Sequence, residues 1–133
     1  MSNMTYKVAI AIVALATASA MIFVCSFENR TRRCLDDPSP GDIYLARINA
    51  LHGSTEAPAL YGLMRVEEVF PDRVMAHPAM DSSASKRRAY RDLESAVANG
   101  IRYDMSKDIE IARDDLASLH ARGIIVVAKN PGT

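Results

Sequence analysis

Three histidines, two cysteines and three adjacent carboxylate pairs are the side chains with which this chain of 133 residues could do chemistry. A zinc site draws on Cys and His at short, repeated spacings, and His52, His77 and His120 have no such neighbours. Acyl transfer on a nucleophile elbow needs Gly-x-Ser-x-Gly, which is missing, and the six glycines stand singly rather than in a phosphate-cradling loop. The pairs Asp36-Asp37, Glu67-Glu68 and Asp114-Asp115 could serve as acid and base. Glu67 and Glu68, however, fall in an expected strand, where neighbours point to opposite faces and cannot share a site. Asp114 and Asp115 read as the start of a helix. His77, ahead of Pro78 and behind an apolar run, reads as a strand-end side chain. The expectation is therefore no catalytic residue, no metal and no cofactor. A small enzyme built around His77 or His120 stands behind the other readings.

The cysteines add nothing to that. Cys25 and Cys34 flank the end of an apolar run, and no framework of half-cystines staples a fold. In an oxidising compartment they can pair with each other or across a dimer. Net charge is zero, which gives no electrostatic reason to expect nucleic acid. The stretch Ser85-Lys86-Arg87-Arg88-Ala89-Tyr90-Arg91 is locally basic, but Asp92 and Glu94 follow at once. It reads as a solvated helix face.

The longest-range signal lies near the N-terminus. Val8 to Phe27 carries no charge, and its polar side chains are Thr17, Ser19 and Ser26 besides Cys25. Twenty residues at about 1.5 Å rise match a bilayer core of about 30 Å. Residues 1–7 form a short tail, and 8–27 read as a transmembrane helix. Lys7 on one side and Arg30, Arg32 and Arg33 on the other are its interface anchors. Ala18-Ser19-Ala20 has the small-x-small form of a signal-peptide cleavage site. The apolar run nevertheless continues through Val24 and stops only before the arginines, as a stop-transfer segment does. A retained anchor is the first expectation, and release after Ala20 the second. Three arginines behind the helix favour a C-terminal part inside the cell, whereas a short lysine-bearing tail suits the opposite signal-anchor topology, so both sides stay open. Ala14 with Ala18 and Ala16 with Ala20 are four apart, a spacing that lets another membrane helix approach closely.

Residues 28–41 read as a juxtamembrane linker, because Pro38, Pro40 and Gly41 cannot continue a helix. Residues 42–133 have the size of one small domain. Within it Asp42–Ile48, Tyr61–Phe70 and Arg73–His77 are rich in strand formers, and Phe70-Pro71-Asp72-Arg73 has the chemistry of a tight turn. A helix follows, capped by Ser83 or Ser85 and ended by Gly100, with Tyr90, Leu93 and Val97 along one face and Ala89 and Ala96 beside them. Ile109 and Ile111 alternate with Glu110 and Ala112 as in a strand. Asp114 is expected to cap a short helix bearing Leu116 and Leu119, and Gly123 to stop it. Ile124–Ala128 reads as a strand buried on both sides, with Val126 in the core. This order of elements resembles a five-stranded SH3-like barrel with one inserted helix. A two-layer α+β sandwich with a mixed sheet fits the same pattern.

From these readings the expected function is that of a single-pass, membrane-anchored interaction module, an accessory subunit or small regulator of a membrane complex. Its partners are membrane lipid and another membrane protein or a second copy of itself. The alternative is a secreted or periplasmic binding domain.

Overall fold

A computed structural model describes residues 28–51, 53, 58–97 and 100–131. The expected transmembrane helix, with Lys7 and the four alanines, lies outside the described residues, as does His52. Among the described residues no helix is long and apolar enough to cross a membrane.

The compact unit spans Thr31–Thr133. It is a small α+β domain around a curled, five-stranded antiparallel sheet, a half-barrel. Strands β1 (Ile43–Arg47), β2 (Tyr61–Val69), β3 (Arg73–Ser83) and β4 (Ile109–Ala112) form a meander, and β5 (Ile125–Lys129) returns to pair with β1. The order across the sheet is β4-β3-β2-β1-β5. Every pairing is antiparallel, so the mixed sheet of the alternative reading is not formed.

Both faces of the sheet are buried, and β1 shows why. Tyr44 and Ala46 point to one apolar cluster, and Ile43 and Leu45 to the other. The first cluster is closed by Leu35 of a helix described over residues 28–36 (α1) and by Leu116 of α4 (Arg113–Ala121). The second is closed by Ala89, Leu93 and Ala96 of α3 (Lys86–Val97), spaced four and three apart. Tyr90, expected on that stripe, sits at its rim and is 37% exposed. A single-turn helix, α2 (Ile48–Leu51), leads out of β1 and lays Ile48 against the backbone of β2. A Cβ at Gly62 would stand 2.9 Å from Ile48 Cγ1, so only glycine fits there.

The Phe70–Arg73 turn forms as expected, with the Phe70 N–H donating to the Arg73 carbonyl at 2.8 Å. At β5 the ladder pairs Leu45 with Val127 and Ala46 with Ile125, which leaves Val126 as the extra residue of a bulge. The bulge turns Ile125 toward one cluster and Val127 toward the other, while Val126 is only partly buried. The apolar run is thus buried on both sides, with its core at Ile125, Val127 and Ala128 rather than at Val126.

Two expectations need correction. Asp114 does not cap α4. The helix begins one residue earlier behind Ala112, and the Arg113 N–H donates to the Asp72 carbonyl of the hairpin turn instead. Asp114 and Asp115 lie in the first turn, where carboxylates oppose the helix dipole favourably. At the other end the Ile124 N–H bonds to Leu119 O and Gly123 N–H to His120 O, with Gly123 at φ 75°. That is the Schellman closure that glycine permits.

The second correction concerns the linker. Its first part is helical, and Thr31, Cys34 and Leu35 fall four and three apart on the face turned to the sheet. Thr31 Oγ1 accepts from the Ala128 N–H of β5 at 3.4 Å, and Leu35 is 5% exposed. Prolines 38 and 40 do end this helix, but the packed unit begins before them. A Thr31–Thr133 fragment should therefore unfold in one cooperative urea transition. A fragment starting at Asp42 should lose about 2–4 kcal/mol through the missing Leu35 burial and edge bond. Equal urea midpoints for the two fragments would remove α1 from the fold.

Candidate interaction cleft at the β3 bulge

Strand β3 continues past its expected end at His77, through Pro78, to Ser83. Proline has no N–H to give a ladder, and strands accommodate it at bulges. The ladder between β2 and β3 does break there. It runs from Gly62 opposite Ser82 to Met64 opposite Pro78, so Ala79, Met80 and Asp81 together face Leu63. The chain after α3 fills the other side of this bulge. The Met80 N–H donates to Arg102 O at 3.0 Å, the Asp104 N–H donates to Pro78 O at 2.8 Å, and Ala79 bridges to Tyr103.

A cleft of about 310 Å³ opens between the bulge, α3 and residues 100–102. Leu63, Ala79 and Ile101 give it apolar walls, Arg88 and Asp92 enter from α3, and Arg102 closes the far side. A smaller hollow of about 140 Å³ adjoins it and shares Leu63, Ala79, Met80 and Asp81. Met80 is 63% exposed in the middle of this surface. Arg88 and Asp92 stand one helical turn apart but within no ion-pair distance, so their charged groups remain open to a ligand.

Beside the cleft lies a polar cluster. The His77 Nδ1–H donates to Lys107 O at 2.8 Å and lies 3.3 Å from Asp108 Oδ1. A carbonyl can only accept, so Nδ1 carries the proton and Nε2 is the lone-pair nitrogen of the neutral ring. His77 is 6% exposed in the middle of β3, not at a strand end. Arg65 binds Glu67 through Nε at 2.8 Å and Nη2 at 2.6 Å, and its guanidinium covers the Tyr103 ring at 4.6 Å. Burial pushes the Tyr103 hydroxyl pKa up, although Arg65 opposes this. Asp104 accepts from the Ser106 N–H and hydroxyl, which lowers its pKa and fixes the loop. These contacts brace the segment that lines the cleft.

The other residues singled out in the sequence are dispersed. Glu67 is tied to Arg65 while Glu68 is exposed, so the two do point apart. His120 lies in the last turn of α4, and its Nδ1–H donates to Ile125 O at 2.9 Å. Arg30, Arg32 and Arg33 are exposed on α1. Among the described residues no group of three or more His, Cys, Asp or Glu could hold a metal ion. The cleft itself went unread in the sequence. A proline inside an otherwise strand-like run, Val74 to Ser83, was the signal that could have found it.

The chain matches no known family model, no curated protein and no solved structure.

A second polar feature lies inside the domain. Asp42 is 1% exposed, and its Oδ2 accepts from the Ser39 N–H at 2.9 Å. Its Oδ1, like the hydroxyl of the fully buried Tyr44, has no hydrogen-bond partner among the described residues. Burial raises the Asp42 pKa, with the bonds from Ser39 and Asn130 opposing and Asp37 adding. Burial and Asp42 likewise raise the Cys34 and Tyr44 pKa values, so Cys34 is a filler rather than a reactive thiolate. Because the folded state holds the Asp42 proton more tightly, stability falls as pH rises from the unfolded value of 3.8 through the folded one. Asp42→Asn should remove that loss. Its urea midpoint relative to the parent should rise between about pH 4 and pH 7. A pH-independent difference would show that Asp42 is adequately solvated by its bonds.

Proposed function

We propose that this chain is a single-pass membrane protein whose SH3-like domain is an interaction module, an accessory subunit or small regulator of a larger membrane complex. The observation that carries the binding half of this reading is the cleft at the β3 bulge, with the large apolar side chain of Met80 left 63% exposed. Methionine is adaptable, and exposed methionine suits surfaces that repack around a partner. The strand order supports the SH3-like assignment. Four strands meander, the fifth returns beside the first, α3 is inserted before β4, and α4 joins β4 to β5. Small curled sheets of this kind commonly present their loops and clefts to partner chains.

The anchoring half rests on the uncharged run Val8–Phe27 and the arginines behind it. Anchoring raises the effective concentration of the cleft for partners in the same membrane. A specific feature of the sequence, Ala18-Ser19-Ala20, favours the second reading of a secreted or periplasmic domain released after Ala20.

Membrane fractionation with a mass measurement of the mature chain separates the two. The anchor reading expects the intact N-terminal region in a pellet that resists carbonate. A soluble form beginning at Met21 contradicts it. In the same preparation Ala14→Leu with Ala18→Leu should abolish self-association or co-purification with a membrane partner, and Ala11→Leu with Ile22→Leu should not. Equal recovery with both double variants reduces the helix to a tether.

A further inference from the structure

We infer that the cleft's partner is an acidic peptide segment carrying one apolar anchor residue, an inference that rests on the interaction reading above but not on the membrane anchor. The argument starts from unpaired charge. Elsewhere in the domain the cations are matched: Arg65 holds Glu67, Arg73 holds Asp72, and Lys107 faces Asp104. Around the cleft they are not. Among the described residues Arg87, Arg88, Arg91 and Arg102 have no ion-pair partner, and Lys86 rests over the Tyr61 ring at 5.5 Å. These five cations face three nearby carboxylates, Asp81, Asp92 and Glu94, so the rim keeps a positive surplus.

Four of the cations sit in the first turns of α3, where the helix dipole disfavours them, and Ser85 Oγ caps that end by accepting the Arg88 N–H at 3.2 Å. Neutralisation by an incoming carboxylate relieves that repulsion. Within the cleft, Arg88 and Arg102 enter from two different elements and bracket the apolar walls. A guanidinium binds carboxylate through two parallel bonds, which gives direction as well as charge.

The backbone decides how a partner can bind. At Pro78 and Met80, β3 is already bonded to residues 102–104, and on its other side it is laddered to β2. No open strand edge is offered there, so recognition by strand addition is excluded and side chains must do it. A volume of about 310 Å³ lies at the small end of ligand sites, with room for one apolar side chain beside Met80, Leu63 and Ile101 rather than for a large cofactor. A concave apolar floor with two bracketing guanidiniums suits a peptide better than a flat bilayer or a nucleic-acid backbone.

The test uses the full-length chain in detergent, panned against a display library of random 12-residue peptides. Enriched peptides should carry two or more Asp or Glu around one large apolar residue. Arg88→Glu with Arg102→Glu, both exposed or at the cleft rim, should weaken synthetic copies of those peptides at least about tenfold. Arg122→Glu on α4 should change binding less than about twofold, and affinity should fall as salt rises. Thermal melts of each variant confirm the fold. Enriched peptides without acidic bias, or peptides indifferent to Arg88→Glu with Arg102→Glu but lost in Met80→Arg, would overturn the acidic class while leaving the interaction cleft standing. No enrichment at all would overturn the interaction reading too. Binding only to phosphatidylserine vesicles or to single-stranded DNA, lost in the double arginine variant, would replace the peptide by that polyanion and overturn the inference.

Discussion

Pro78 imposes the constraint on which the functional half of this domain depends. It lies in the longest strand of the sheet, where a residue is asked to give an N–H to a neighbour, and it has none. The strand survives by breaking register: three residues face Leu63, and the ladder resumes at Ser82 opposite Gly62. The break exposes Met80 on one side. On the other, the chain returning from α3 takes up the open backbone groups of Pro78 and Met80. The cleft, the position of Arg102 and the path of the 101–104 segment all follow from one missing donor.

The rest of the fold holds this irregular strand in place by burying the sheet on both sides. With α1 and α4 over one face and α3 over the other, β1 has no solvent-facing side, and its residues from Ile43 to Ala46 are all within 2% of full burial. The outer edge of β5 is also closed in part. Thr31 takes the Ala128 N–H and His120 takes the Ile125 carbonyl. An edge with its groups occupied is a poor template for a stray strand. Loose pairing is therefore kept away from the sheet's closing strand, while the adaptable surface sits at the bulge.

Much of this architecture could be read from residue patterns, for a physical reason in each case. The Phe70–Arg73 turn was legible because Pro71 and Asp72 favour successive turn positions locally. The β4 alternation was legible because Ile109 and Ile111 are buried while Glu110 and Ala112 are not. Features decided by distant contacts were not. Nothing local says that Thr31 and Leu35 meet β5 and the core, so the helix of residues 28–36 passed for a linker. Nor does anything local say that the Arg113 N–H finds Asp72 O, which displaces Asp114 from the cap. Tyr90 has the right helical phase but lies at the edge of the stripe that α3 turns to the sheet. The two bulges, at Val126 and at Ala79–Asp81, shift register by tertiary pairing, and the second one makes the cleft.

The most direct test of this account is native-state hydrogen exchange, read residue by residue, at the Met80 and Asp104 amides. If the 101–104 segment is laddered onto the far side of the β3 bulge, both amides should be protected to a degree comparable with core amides such as Val66, whose N–H donates to Asp42 O at 2.8 Å. Exchange of both at the rate of an open loop, with Val66 still protected, would mean that the bulge is not braced and that the cleft is not a formed surface.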